Sequence, residues 1–253
     1  MKFSAPDWCF FREGMDPKEY YGRLAEMGYS GVEMVDPVRY DAARNAGLTI
    51  VNTSAPPIEA GLNRIANHKD AIPRIKNVIS HAAENGIGQV IIFSGNREGQ
   101  SDDEGIENCE KAILELLPLA EEKSIVLTFE MLNVQDHPDY QADSSHYGFE
   151  LCRRFKSTWL KTVYDIYHME RMGEDSIKDV TGNIEHIAHI HVAESPGRGI
   201  PAAKGNIRYD KIVPAILHAG YEGYWGMEFV PAGGPYNELK QTKKLFQELA
   251  GHG

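Results

Sequence analysis

The sequence predicts a single-domain (β/α)8 barrel, a TIM barrel of the α/β class, spanning residues 1–253. Three observations point there. Short β-branched or aromatic runs alternate with longer amphipathic stretches. The rhythm repeats about eight times at roughly 30 residues per unit, and such barrels run to about 250 residues. No linker, low-complexity segment or shift in composition divides the chain. An open doubly wound sheet is the competing architecture. It usually carries a Gly-rich phosphate loop after its first strand, and "APDWCFFREG" is not one.

Eight strands are expected, at Phe3–Ala5, Gly31–Met34, Thr49–Asn52, Val90–Phe93, Ile125–Glu130, Thr162–Tyr164, Ile187–Val192 and Tyr224–Phe229. Gly, Asn, Asp or Pro bounds most of them. Between them lie helical patterns. Residues 16–28 begin with Asp16 as a cap and Pro17 in the first turn, and end at Gly28. Residues 67–86 place Ile72, Ile75, Ile79 and Ala82 on one face. Residues 102–124 are acidic at the front, which suits the helix dipole. Further helices are expected at 144–157, 208–220 and 237–251, with a loop and a short helix in 170–184.

The chain has 37 acidic and 26 basic residues, a net charge of −11. Without a basic stripe, nucleic-acid binding is disfavoured, because phosphate contacts supply most of that affinity. No run of about 18 apolar residues suggests a membrane span. The N-terminus lacks a signal-peptide pattern. Cys9, Cys109 and Cys152 are odd in number and far apart, which fits buried, reduced thiols in a cytoplasmic protein.

In a (β/α)8 barrel the chemistry sits at the C-terminal ends of the strands. Four successive strands present an ionisable residue there: Glu130 in "VLTFE", Asp165 in "TVYD", His191 in "HIH" and Glu228 in "YWGME". Three converging carboxylates repel one another unless a cation joins them. An oxygen-rich set with one imidazole suits one divalent ion, Mg²⁺ or Mn²⁺ first, with Co²⁺ or Zn²⁺ as alternatives. "HIAHIHVAESPGRG" (186–199) carries three of the ten histidines within six residues. On a strand, His189 and His191 share one face. His191 lies nearer the C-terminal end and is the ligand candidate. His189 is expected one layer deeper, hydrogen-bonded, and His186 solvated.

The segments "YDIYHMERMGED" (164–175), "HIHVAESPGR" (189–198), "GNIRYDKIV" (205–213) and "GYEGYWGMEFVP" (220–231) resemble the hydroxypyruvate isomerase family. That family belongs to the xylose isomerase-like superfamily of (β/α)8 barrels, with sugar isomerases, ketose 3-epimerases, inosose dehydratases and endonuclease IV. The resemblance covers residues 125–231 and is weaker before residue 120. It implies Glu130, Asp165, His191 and Glu228 as metal ligands, and Glu130 and Glu228 also as the catalytic acid/base pair. It departs at His191, where hydroxypyruvate isomerases have Gln and epimerase-like branches have His, and this leaves the substrate open.

The implied activity is metal-dependent isomerisation or 3-epimerisation of a small hydroxy-keto acid or sugar. One glutamate would remove a proton next to a carbonyl and the other return one to the enediolate. The alternative is a metal-dependent lyase that dehydrates a keto-polyol such as an inosose or dehydroshikimate. Endonuclease chemistry would need more histidines on more strands. A non-enzymatic binder would not need two placed bases. Arg198, after a Pro-Gly break, could clamp substrate oxygens, and His168, three residues after Asp165, could contact substrate. Trp8, Glu33, His68, Asn96 and His137 are further pocket candidates, with packing or structural roles favoured for Trp8 and Glu33. Glu194 could support the site. Trp159 and Trp225 are expected to pack. No membrane or nucleic-acid partner is expected; a homo-oligomer is compatible with the sequence, which leaves the oligomeric state open.

Overall fold

The computed structural model describes residues 1–251. In chain order the elements are β1 (Lys2–Pro6), α1 (Asp7–Phe10), α2 (Pro17–Glu26), β2 (Gly31–Glu33), α3 (Tyr40–Asn45), β3 (Thr49–Ile50) and β4 (Asn52–Ser54). There follow α4 (Ile65–Glu84), β5 (Gln89–Phe93), α5 (Asp102–Lys123), β6 (Val126–Glu130), α6 (Ser145–Phe155), β7 (Leu160–Asp165), α7 (Ile166–Arg171) and α8 (Ser176–Gly182). The chain closes with β8 (Ile187–Val192), α9 (Tyr209–His218), β9 (Tyr224–Met227) and α10 (Pro235–Ala250).

The strands form one sheet in the order β3-β2-β1-β9-β8-β7-β6-β5-β4. Its two end strands follow each other in the chain, with Val51 alone between them. This is a near-closed parallel β-barrel with surrounding helices, the predicted fold class. The expected third strand, Thr49–Asn52, is the exception. It divides at Val51 into β3 and β4, which pair with β2 and β5 respectively, so nine strands are described. The last strand ends at Met227, two residues earlier than expected, and Glu228 lies just beyond it. The second ends at Glu33, because Met34 turns into the left-handed region at φ 49°.

By internal contacts the chain divides into two compact units. The first comprises Met1–Val51, Asp175–Ile184 and the chain from His189 onward. Its helix α2 is capped as expected: the Asp16 side chain accepts from the Lys18 N–H, and Pro17 opens the helix. Its core is aromatic. Phe10 meets Phe229 edge-on at 5.0 Å, and Phe246 lies 5.6 Å from Trp225 and 5.2 Å from Tyr209.

The second unit comprises Asn52–Glu174 and Glu185–Ala188. On α4 the predicted face of Ile72, Ile75, Ile79 and Ala82 is buried, although the helix starts at Ile65, earlier than expected. Ser101 caps α5 by accepting from the Glu104 N–H, at the head of a first turn holding Asp102, Asp103 and Glu104. Phe129 stacks on Tyr147 at 5.9 Å, and Phe149 on Tyr164 at 6.2 Å. All three cysteines are buried and free. No described helix is long and apolar enough to cross a membrane.

A buried ionic strut follows β1. Asp7 Oδ2 accepts from Tyr21 Oη at 2.6 Å and from Arg39 Nε and Nη2 at 3.2 and 3.1 Å. The guanidinium also lies 4.3 Å from the Phe11 ring centroid. Burial pushes the Asp7 carboxyl up to about 6, against the lowering effect of its Tyr21 and Arg39 partners. The folded chain therefore holds this proton more tightly than the unfolded chain. Stability tied to it is full below about pH 4 and falls as pH rises towards 6. The expected loss is roughly 3 kcal/mol. Urea unfolding at pH 4 and pH 7 checks this, because Asp7→Asn should lack that increment of pH dependence.

Candidate metal centre and its surroundings

In the first unit, His191 lies on β8 opposite Gly226 of β9 and is fully buried. Its Nε2 is 2.8 Å from Glu33 Oε2, and its Nδ1 is 2.9 Å from Glu228 Oε2. Glu33, at the end of β2, is also completely buried, and its other oxygen accepts from Ser4 Oγ at 2.6 Å. Burial alone would raise the Glu33 carboxyl, but His189 and His191 hold it well below the usual carboxylate range. His189 Nε2 stands 3.0 Å from the same Glu33 oxygen without hydrogen-bond alignment. His189 is thus buried as expected, but aligned hydrogen bonds at its ring nitrogens, also expected, are absent.

Glu228 is 5 % exposed. It accepts from Trp8 Nε1 at 2.9 Å on one oxygen and from Arg198 Nη2 on the other. Burial opposes its ionisation, yet His191 and Arg198 bring the carboxyl down to about 2. Arg198 sits in a loop closed by two hydrogen bonds between the backbones of Glu194 and Gly199, and adopts φ 51°. Its guanidinium is 5.7 Å from the Trp8 ring centroid. Trp8 is half exposed, and of the packing or structural role expected for it the structure shows the second, a hydrogen bond on Glu228. Glu194 accepts from the N–H groups of Ser195, Ala202 and Ile207 and so shapes the loop that carries Arg198.

In the second unit, Glu130 ends β6 and Asp165 ends β7, both buried. Tyr140 Oη donates to the Glu130 backbone carbonyl at 2.9 Å and fixes that strand end. Asp165 caps α7, its Oδ1 accepting from Tyr167 N–H at 2.9 Å. His168 on α7 is buried, with Nε2 3.5 Å from Asp165 Oδ2. The backbone N–H of Asn133 lies 3.2 Å from His168 Nδ1 and can only donate, so the ring proton belongs on Nε2. Asn133 is in turn held by Asp136, which accepts from Tyr167 Oη at 2.6 Å and from Arg171 Nη1 at 2.8 Å.

Among the described residues, two groups have the geometry to hold a metal ion. One is Glu33, His189 and His191. The other is Glu130, Asp165, His191 and Glu228, the four residues predicted as ligands. In each group one ligand atom per residue lies within 4.8 Å of all the others.

The model of the xylose isomerase-like TIM barrel family matches residues 21–249. The chain belongs to that family. It is 27 % identical to the hydroxypyruvate isomerase of Escherichia coli (strain K12), over 91 % of this chain and 94 % of that protein. Among solved structures, an AP endonuclease, family 2, from Brucella melitensis superposes with a TM-score of 0.83 at 22 % identity, covering 96 % of this chain and 98 % of that one. The 3-keto-D-glucoside 4-epimerase from E. coli gives 0.80 at 16 % identity, covering 98 % and 99 %. At those identities the two structures speak for the fold alone.

The remaining expectations fare unevenly. His68 Nε2 contacts the Leu62 carbonyl at 2.8 Å, the Asn63 side chain donates to the Asn96 carbonyl, and the His137 ring lies 5.5 Å from that of His168. None of the three belongs to either metal-capable group. Trp225 packs, fully buried. Trp159 is half-buried. His186, expected to be solvated, is half-buried beside Phe149, with ring centroids 6.5 Å apart. Asn133 and Asp136 were not foreseen as the support of His168, although they follow Glu130 by three and six residues.

Proposed function

We propose that the protein is a metal-dependent isomerase of a small hydroxy-keto acid or sugar, working by proton transfer through an enediolate. The observation that carries this reading is the buried set of Glu130, Asp165, His191 and Glu228, whose ligand atoms cluster within 4.8 Å. Three buried carboxylates are costly without a cation. Hard oxygen donors with one imidazole fit Mg²⁺ or Mn²⁺, with Co²⁺ or Zn²⁺ as alternatives. The likeness to the E. coli hydroxypyruvate isomerase supports the substrate class.

A bound divalent cation supplies Lewis acidity, which makes a proton next to a carbonyl easier to remove. Glu228 is ionised and its plane is fixed by Trp8 and Arg198, so it is ready to take that proton. Glu130 is the partner that returns a proton, at the adjacent carbon for isomerisation or from the opposite face for epimerisation. His168 offers Nε2–H to a substrate oxygen. Arg198 presents a guanidinium suited to a carboxylate or hydroxyls. The net charge of −11 favours a small-molecule partner over nucleic acid.

The test is proton exchange in D₂O, followed by ¹H NMR, with Mn²⁺-loaded protein and a panel of hydroxypyruvate, ketoses and inososes. Metal-dependent deuterium uptake or a new isomer is expected. A dehydrated product would replace the isomerase reading with a lyase. No exchange across the panel would remove both.

A further inference from the structure

Glu33 lies 158 residues before His191 in the chain, yet the two side chains meet in complete burial. The Glu33 carboxylate is engaged on both oxygens. Oε1 takes the Ser4 hydroxyl at 2.6 Å, and Oε2 takes His191 Nε2 at 2.8 Å. The packing leaves room for this arrangement at one point in particular. A Cβ at Gly226 would stand 2.4 Å from Glu33 Oε1, 2.6 Å from His191 Cδ2 and 2.7 Å from His189 Nε2. Only glycine fits at that position of β9.

An ionised carboxylate can only accept. The hydrogen between Glu33 and His191 therefore belongs to Nε2. A neutral imidazole has one such hydrogen, so Nδ1 is left with its lone pair. Nδ1 is also the atom 2.9 Å from Glu228 Oε2. Two bare lone pairs at that separation repel each other unless a proton or a metal cation lies between them, and metal binding there displaces the proton.

We infer that Glu33 is a positioning residue for the metal centre: it holds the His191 ring by Nε2–H, so that Nδ1 faces Glu228 as the ligand atom. This role rests on the metal-dependent reading above. Carboxylate–histidine–metal relays of this kind orient the ring and select the ligating nitrogen. The sequence gives Glu33 no such partner, because contact between β2 and β8 is visible only in the fold.

The first measurement needs no variant. In Zn²⁺-loaded wild-type protein, ¹⁵N–¹H correlation spectra of the imidazoles should show His191 protonated at Nε2 and without a hydrogen on Nδ1. The His191 signals are assigned by their loss in His191→Gln. The second measurement is Mn²⁺ titration calorimetry on wild type and Glu33→Gln. The affinity of Glu33→Gln should fall by about 10- to 100-fold, with the His191 Nε2–H signal shifted in its Zn²⁺-loaded spectrum. A purely packing role would leave that signal unchanged. An Nδ1–H tautomer in the Zn²⁺-loaded wild type, or Mn²⁺ affinity unchanged in Glu33→Gln, would overturn the inference. A wild-type chain that binds no Mn²⁺ would overturn the metal-dependent reading itself, and this role with it. The two failures are therefore distinguishable.

Discussion

Glu228→Gln is expected to lower the rate of metal-dependent deuterium exchange by about 10²- to 10⁴-fold, the usual contribution of a placed acid or base. The substitution is nearly isosteric but removes the charge. Trp8 can still donate to the amide oxygen. The amide NH₂ must then face Arg198 or His191, both of which meet the carboxylate in the native chain. The assay is run at saturating Mn²⁺, so that weakened metal binding does not masquerade as lost proton transfer. A variant within tenfold of wild type would remove Glu228 as the base and leave Glu130 to account for the reaction alone.

Mn²⁺ should raise the melting temperature by about 5–10 °C when its free concentration is a hundred times Kd. Binding to the folded state at that ratio contributes about 2.7 kcal/mol. For a chain of this size each kcal/mol moves the midpoint by about 2–4 °C. Asp165→Asn should abolish most of this shift while leaving the metal-free melting temperature close to wild type. Asp165 has a second job, capping α7 through the Tyr167 N–H, and Asn caps nearly as well as Asp. The substitution therefore separates ligand from cap. Differential scanning calorimetry with and without Mn²⁺ checks it. A full shift in Asp165→Asn would exclude Asp165 from the ligand set.

Much of the fold was legible because it rests on local pattern. The stripe of Ile72, Ile75, Ile79 and Ala82, the Asp16 cap and the alternation in Ile187–Val192 each depend on neighbours a few residues away. What escaped was short or non-local. Helices α1, α3 and α7 have four to six residues, too few for a 3.6-residue period to declare itself. The division at Val51 reflects which neighbour each half pairs with, and pairing partners are not written in a strand's own composition. The ligand candidates were legible because strand ends in a barrel share one face. Their supports were not. Asn133 beside His168, and Trp8 beside Glu228, are joined across 35 and 220 residues. Asp7 with Tyr21 and Arg39 spans less, yet nothing in "APDWCF" marks its first charge as buried.

The close approach of Glu33, His189 and His191 to Gly226 makes four positions answerable to one another. A methyl group there would displace the carboxylate of residue 33 or the rings of residues 189 and 191. In a chain that keeps both histidines, length at position 33 and bulk at position 226 must trade off. Library designs that vary one of the four alone will mostly return misassembled centres, whereas joint libraries can explore shorter acids at 33 with small side chains at 226. Gly226 thus acts as a gatekeeper for changing the donor set of this barrel.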